Sequence, residues 1–135
     1  MRASKEVLAE IKEFEPKAGN WLGLDALLNE LWESGYQENF VGDLLGVFEK
    51  YPDEDGAGVF WSIVHGIESH GFYEKQLVES LKRQPSEMGL VLLLRIKNSG
   101  AKTVGGIGID QVVADLISNE RMSPRLRQQI IEIWG

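Results

Sequence analysis

Two histidines and a glutamate lie close together in the segment His65–His70, and such side chains can bind a metal ion or transfer protons. The letters HGIESH match neither helical zinc motif, H-E-x-x-H or H-x-x-E-H. On a helix His65 and Glu68 share a face, but His70 lies about 140° from His65 around the axis. We therefore predict no metal site. An enzyme that uses His65 and Glu68 is the least favoured alternative.

Three glycines in the segment 103–108, which reads TVGGIG, superficially suggest a loop that binds phosphate. The segment has no G-K-[ST] sequence and follows no predicted strand, and the serines of the chain lack a G-x-S-x-G context. We interpret residues 101–108 as a flexible connector. We predict no catalytic residue and no cofactor-binding residue in this chain.

Three consecutive acids, Asp53, Glu54 and Asp55, precede Gly56 and a predicted helix that begins near Ala57. Carboxylates before a helix are favourable because the N-terminal end of the helix dipole is positive. The same three side chains are also candidates for contact with a partner molecule. Both interpretations place them in a solvated turn.

The charge of the chain is uneven along its length. The formal net charge is −7; residues 1–74 carry 15 acidic and 5 basic side chains, and residues 75–135 carry 6 and 9. We expect a stacked fold to keep these two halves apart in space. The acidic half argues against binding nucleic acid, whose phosphates it would repel, and favours a basic protein partner such as a nuclease domain. Solubility is the alternative explanation for the charge.

Composition limits the number of domains, the kinds of site and the cellular location that we expect for this chain. Its 135 residues, 43% of them hydrophobic, suffice for one domain with a core, and the absence of cysteine removes disulfides and thiolate metal sites. The start of the chain lacks the apolar core of a signal peptide, and the longest apolar run, Leu90–Leu94, is too short to span a bilayer. We expect a cytoplasmic protein.

Amphipathic segments separated by glycine and proline dominate the chain. Gly35, Gly71 and Gly100 each follow a helical pattern, at intervals of 36 and 29 residues, which is typical of stacked helix pairs. We predict a single all-α domain over residues 1–135, with seven or eight helices stacked as antiparallel, HEAT-like pairs. An irregular helical bundle is the alternative.

The predicted helices follow from apolar spacing and capping residues, and the candidate N-caps include Ser4, Asn20 and Ser86. They cover about 4–15, the stretch between Asn20 and Gly35, 37–50, 57–70, 73–84, a sixth helix that starts at Pro85 or Ser86, 109–118 and 124–134. The sixth is apolar on more than one face, so it is buried or packs on a neighbour. A strand over 90–96 is the competing prediction for part of it.

Seven tryptophans and tyrosines are many for an all-helical chain. Most should fill the space between helix layers. Trp61 and Tyr36 are offset from the apolar stripes of their helices, so we regard them as candidate anchors at an interface.

Three sequence features carry a resemblance to a known class of proteins. They are a helix with Gly58, Trp61 and His65, a Lys-Arg-x-Pro-Ser break at 82–86, and an Asn-Ser-Gly turn at 98–100. Over residues 36–120 the chain resembles the small all-α immunity proteins of bacterial polymorphic toxin and contact-dependent growth inhibition systems. The resemblance implies a cytoplasmic protein that binds the toxin domain of a sister effector and blocks its active site or its access to substrate.

We expect the partner to meet the acidic half of the chain, close to its aromatic anchors. The candidate partner-binding residues are Glu33, Tyr36, Glu38, Asp53, Glu54, Asp55, Trp61, Glu68 and His70. The alternative function is a helical-repeat adaptor or scaffold without a toxin partner.

Overall fold

The computed structural model describes residues 3–34 and 40–134. Within these ranges it contains eight α-helices, one 3-10 turn and two short strands. The helices are α1 (Ser4–Glu13), α2 (Leu22–Ser34), α3 (Phe40–Lys50), α4 (Phe60–His70), α5 (Glu74–Arg83), α6 (Glu87–Asn98), α7 (Ile109–Ile117) and α8 (Pro124–Trp134); the 3-10 turn is Gly56–Gly58, and β1 (Thr103–Val104) pairs with β2 (Ile107–Gly108). The predicted all-α fold is confirmed.

The helices stack as successive pairs in two layers. One layer places α1, α3, α5 and α7 side by side, and the other places α2, α4 and α6 side by side. Each helix of the first layer also packs on the helix that follows it in the chain. The eighth helix packs mainly on α7, so the second layer does not close tightly between α6 and α8.

Side-chain caps fix where several helices begin. Asn20 accepts a hydrogen bond from the Leu22 amide at 3.0 Å, and Ser86 accepts one from the Gly89 amide at 3.0 Å. These caps satisfy amides that have no partner within the helix itself. The sequence-based choice of Ser86 as a cap is therefore correct. The choice of Ser4 is wrong, because Ala3 occupies the cap position of α1 and Ser4 already lies in the helix.

One core runs through both layers. Its fully buried side chains include Phe48 and Phe60, whose ring centroids lie 5.5 Å apart. Trp21 meets Phe60 and Tyr51 edge to face at 5.1 Å in each case. Burial of this apolar surface is the main force that holds the stack together.

The expected connector at 101–108 is a β-hairpin. Gly105 and Gly106 have φ of +56° and +83°, so they supply the left-handed turn that a two-residue hairpin needs. Val104 is fully buried, and the Gly105 amide donates a 2.9 Å hydrogen bond to Glu74 Oε1. The prediction of a flexible connector is wrong because the glycine pair makes a turn that docks on α5.

Two further expectations need correction. The helix predicted from Ala57 begins at Phe60, because Ala57 and Gly58 adopt φ of +53° and +91°, outside the helical region. The apolar stripe of α8 predicts that Ile131 faces the core, yet it is 41% exposed, whereas Leu126 and Ile130 are buried.

The two charge halves are not kept apart. Among the described residues, three ion pairs join them, with nitrogen–oxygen distances of 3.0 Å for Arg83 and Glu49, 2.7 Å for Arg95 and Glu68, and 3.4 Å for Arg125 and Asp53. The expectation fails because α5 packs on α3 and α6 packs on α4, which brings basic residues of the second half onto the first.

Among the described residues, we find no helix with the length and apolar character needed to cross a membrane.

Candidate functional site

An open cleft of about 400 Å³ lies between α6 and α8. Three parts of the chain form its walls: the start of α4 with the turn before it, one face of α6 and one face of α8. The lining residues are Asp55, Trp61, Glu87, Met88, Leu90, Val91, Leu94, Gln129, Ile130, Glu132, Ile133 and Trp134. We call this feature the α6–α8 cleft. Its volume lies within the range of about 300–1,000 Å³ found for ligand pockets in proteins.

The α6 and α8 walls are tied together at both ends. At their N-terminal ends, Arg125 Nη1 of α8 lies 3.0 Å from Glu87 Oε1 of α6. At their C-terminal ends, Lys97 Nζ of α6 lies 5.4 Å from the centre of the Trp134 ring of α8. The two helices therefore run in the same direction, with the cleft between these two ties.

The surface of the cleft is mostly apolar and partly exposed. Leu90, Val91 and Leu94 follow helical spacing on α6, and Ile130, Ile133 and Trp134 do so on α8. Ile133 is 49% exposed, which leaves its side chain without a full set of neighbours. The indole nitrogen of Trp134 is buried and has no hydrogen-bond partner among the described residues, an arrangement that costs roughly 1–3 kcal/mol.

Trp61 forms the third wall and is held in place by α6. Its side chain is 37% exposed, and the Arg95 guanidinium carbon lies 5.9 Å from its ring centre. Arg95 also donates hydrogen bonds of 2.7 and 2.9 Å to the Glu68 carboxylate. This hydrogen bonding raises the pKa of Arg95, so the cation beside Trp61 stays charged and paired. The arrangement fixes a large aromatic surface at the rim of the cleft.

The lining of the cleft carries negative charge. Asp55, Glu87 and Glu132 line it, and none of its described lining residues is basic. Glu87 is paired with Arg125, whose pKa is raised chiefly by the hydrogen bond to Glu87. Glu132 accepts only a neutral hydrogen bond, from Gln128 at 3.2 Å, among the contacts of the described chain. Within that part of the chain, the carboxylates of Asp55 and Glu132 therefore lack a cation.

The three acids of the turn before α4 have different environments. Asp53 accepts hydrogen bonds from Ser123 at 2.8 Å and from Arg125 at 3.4 Å, so it fastens the turn to α8. Asp55 accepts the Ala57 amide at 3.0 Å and faces the cleft. Glu54 is exposed, and its carboxylate has no ion pair within the described ranges. The sequence gives no reason to distinguish these three acids, whereas in the structure each has different contacts.

Glu33 and His70, two further predicted partner-binding residues, do not line the cleft. Glu33 is exposed on α2. His70 packs edge to face on Phe40 at 5.0 Å, and its Nδ1 lies 2.7 Å from the Gly71 carbonyl oxygen. Tyr36 and Glu38 lie outside the described residues. Asp55 and Trp61 are thus the two predicted residues that line the cleft, and Asp53 and Glu68 hold its neighbouring arginines.

Sequence reasoning missed the exposure of Ile133 and of Phe72. Ile133 at the cleft has no distinctive sequence signal, since it lies among other apolar residues of α8. Phe72, in the turn between α4 and α5, is 99% exposed and has a φ of +52°. A large side chain in this left-handed conformation is an outlier that costs roughly 1–3 kcal/mol. Only the structure reveals such a backbone.

The histidine motif does not assemble into a metal-binding group. His65 is exposed beside Trp61, with the two ring centres 6.0 Å apart, and Glu68 is engaged by Arg95. Over residues 3–34 and 40–134, no three histidine or carboxylate side chains are grouped so that they could hold a metal ion.

Comparison of this chain with family models, curated proteins and solved structures finds no significant match.

Proposed function

We propose that this chain is an immunity protein: a non-enzymatic, cytoplasmic inhibitor that binds one toxin domain of a sister effector. The observation that carries the proposal is the α6–α8 cleft, where Trp61 and Ile133 expose apolar surface beside the carboxylates of Asp55 and Glu132. Exposed aromatic anchors beside uncompensated charge are the features that give protein interfaces affinity and specificity.

Each part of the cleft has a distinct role in this proposal. Trp61 supplies buried area once a partner covers it, because tryptophan is enriched among the residues that dominate binding energy. Asp55 and Glu132 attract a basic surface and orient it, which raises the association rate at low salt. Since toxin domains that act on nucleic acid carry basic surfaces, a nuclease is the kind of toxin that this charge fits best.

In this proposal, binding of the toxin domain at the cleft is sufficient to inhibit it. A partner that covers the cleft lies against α6 and α8 along most of their length, and the bulk of the helical stack extends away from it. The stack blocks the active site of the toxin or the approach of its substrate. Neither outcome requires a chemical step by this chain.

A competition experiment in the native host tests the proposal even while the toxin is unidentified. A strain that lacks this gene is grown in contact with its otherwise identical parent. We expect the deletion strain to be outcompeted and to recover when a plasmid supplies the wild-type chain. Equal growth of the two strains under contact, in conditions where the parent expresses its secreted effectors, would overturn the proposal.

The second candidate is a helical-repeat adaptor without a toxin partner. The two-layer stack of helix pairs favours it, since such stacks present extended surfaces to many kinds of partner. The neighbouring genes distinguish the two functions. A toxin gene immediately upstream supports an immunity protein, and its absence supports an adaptor.

A further inference from the structure

The α6–α8 cleft is an open apolar groove between two helices that run in the same direction. In the layer formed by α2, α4 and α6, each helix lies beside the previous one, but between α6 and α8 the cleft interrupts the packing. Both walls present side chains at helical spacing, with Leu90, Val91 and Leu94 on one side and Ile130 and Ile133 on the other. Ridges of this kind accept the side chains of another helix.

The ties at the two ends of the cleft set the length of a fitting segment. Glu87 and Lys97 of α6 mark these ends, and the ten helical steps from one to the other span about 15 Å at 1.5 Å per residue. A helix of about three turns covers this distance. Its apolar residues would recur at every third or fourth position, facing the cleft.

The charge of the cleft decides what kind of helix fits. Asp55 and Glu132 line it without a cationic partner among the described residues, and Glu54 adds a third exposed carboxylate nearby. The neighbouring cations are already engaged: Arg95 with Glu68, Arg125 with Glu87 and Asp53, and Lys97 over the Trp134 ring. An acidic helix would meet repulsion here, whereas lysine or arginine beside its apolar face would pair with these carboxylates.

We infer that the α6–α8 cleft binds a cationic amphipathic α-helix of the partner protein. The identification of that partner as a toxin domain rests on the proposed function, but the chemistry of the occupant does not. A second copy of this chain is a poorer occupant, because the net charge of −7 makes two copies repel each other.

Isothermal titration calorimetry with model peptides tests the inference directly. The first probe is a capped peptide of about two heptads, with leucine on one face and lysine on the other. The second has the same leucines and glutamate in place of every lysine. We expect one lysine peptide to bind per chain and the glutamate peptide to bind at least tenfold more weakly. Equal binding of the two peptides, or binding of neither, would overturn the inference.

Charge-neutralising variants locate the binding site. D55N/E132Q removes two cleft charges and retains oxygens that can accept from Ala57 and Gln128. The matched control is E13Q/E15Q, which neutralises two exposed carboxylates at the end of α1, outside the cleft. The cleft variant should weaken binding of the lysine peptide at least threefold, and the control less than twofold. Equal weakening by both would mean general attraction to an acidic protein and would contradict the inference.

A third variant tests the apolar part of the cleft. Trp61→Ala should weaken the lysine peptide at least tenfold, whereas Leu22→Ala, which truncates a 71% exposed side chain on α2, should have no effect. Light scattering of the wild-type chain tests self-association, and a dimer dissociated by Trp61→Ala would show that the occupant is a second copy. Peptide binding needs no toxin, so it can fail while the competition experiment succeeds, and the reverse also holds.

Discussion

Arg125 at the start of α8 lies 3.0 Å from Glu87 at the start of α6, measured from Nη1 to Oε1. The same guanidinium donates to the Asp53 backbone oxygen at 3.1 Å, and the Glu87 amide donates to the Pro52 carbonyl at 2.7 Å. One arginine therefore joins α8, α6 and the turn before α4. This junction closes one end of the α6–α8 cleft.

Loss of this junction should change peptide binding at the cleft and should lower the stability of the fold only slightly. For Arg125→Gln we expect the free energy of unfolding to fall by about 1 kcal/mol, because exposed ion pairs contribute little individually but three contacts are lost together. Urea unfolding measures this change in stability, and titration with the lysine peptide measures the affinity of the cleft. Lys102→Gln, which also neutralises an exposed cation, is the control. Equal stability and binding in both variants would contradict the role given to Arg125.

Two acids of the turn before α4, Asp53 and Glu54, should differ in how much they contribute to the stability of the fold. Asp53→Ala removes the bonds to Ser123 and Arg125, and we expect it to lower the free energy of unfolding by roughly 0.5–1.5 kcal/mol. Glu54→Ala removes an exposed carboxylate, so its effect should stay within about 0.5 kcal/mol. Urea unfolding of both variants tests this order, and a larger effect of Glu54→Ala would refute it.

Gly66 is required where α4 passes α2. A Cβ at this position would overlap the six-membered ring of Trp32, which packs edge to face on Phe40 with the ring centres 6.0 Å apart. We expect Gly66→Ala to lower the free energy of unfolding by about 1–3 kcal/mol.

Gly46→Ala in α3 is the matched control for this prediction, since a Cβ there would meet open space. It should raise stability by about 0.5–1 kcal/mol, because alanine favours a helix interior over glycine. Thermal or urea unfolding measures both variants. Similar changes of the same sign at the two positions would show that contact with Trp32 is unimportant.

Stability should depend on Tyr73 at high pH. Burial, and then the carboxylates of Glu68 and Glu74, raise the pKa of the Tyr73 phenol above its usual value. The folded chain therefore keeps this proton at pH values where the unfolded chain has lost it. The stability that depends on this proton is fully present below about pH 10 and falls as pH rises from the unfolded pKa through the folded pKa.

Comparison of the wild type with Tyr73→Phe isolates this effect from the lysines that titrate nearby in pH. Between roughly pH 9 and pH 11, the wild type should lose more of its free energy of unfolding than the variant. Urea unfolding across this range provides the measurement. Parallel pH curves for the two proteins would be inconsistent with the environment assigned to Tyr73.

The helices could be predicted from the sequence because their signals are local. Val7, Leu8 and Ile11 follow the helical period and are buried, and Ser86 caps α6 where the sequence places a cap. Ala57 and Phe72 could not be anticipated, since each adopts a positive φ that its residue type disfavours. The surrounding tertiary structure determines these conformations.

The cleft could be predicted only in part. Trp61 stands out in the sequence because it is offset from the apolar stripe of its helix, and Asp55 because it belongs to an acidic run. Ile133 does not stand out, because its exposure depends on the packing of α8 beside α6, which no local pattern encodes. The sequence does not predict the ion pair of Glu68 with Arg95 either, because its two residues belong to different charge halves and only the packing of α6 on α4 brings them together.

Affinity capture from the native host, with the wild type, Trp61→Ala and Leu22→Ala compared side by side, tests the central claim most directly. Mass spectrometry should identify one C-terminal fragment of a large secreted protein, bound in equal amount to the wild type and to Leu22→Ala. Trp61→Ala should recover much less of it. Capture of unrelated cytoplasmic proteins, or of the same fragment in equal amount by all three chains, would contradict an immunity protein that acts through the α6–α8 cleft.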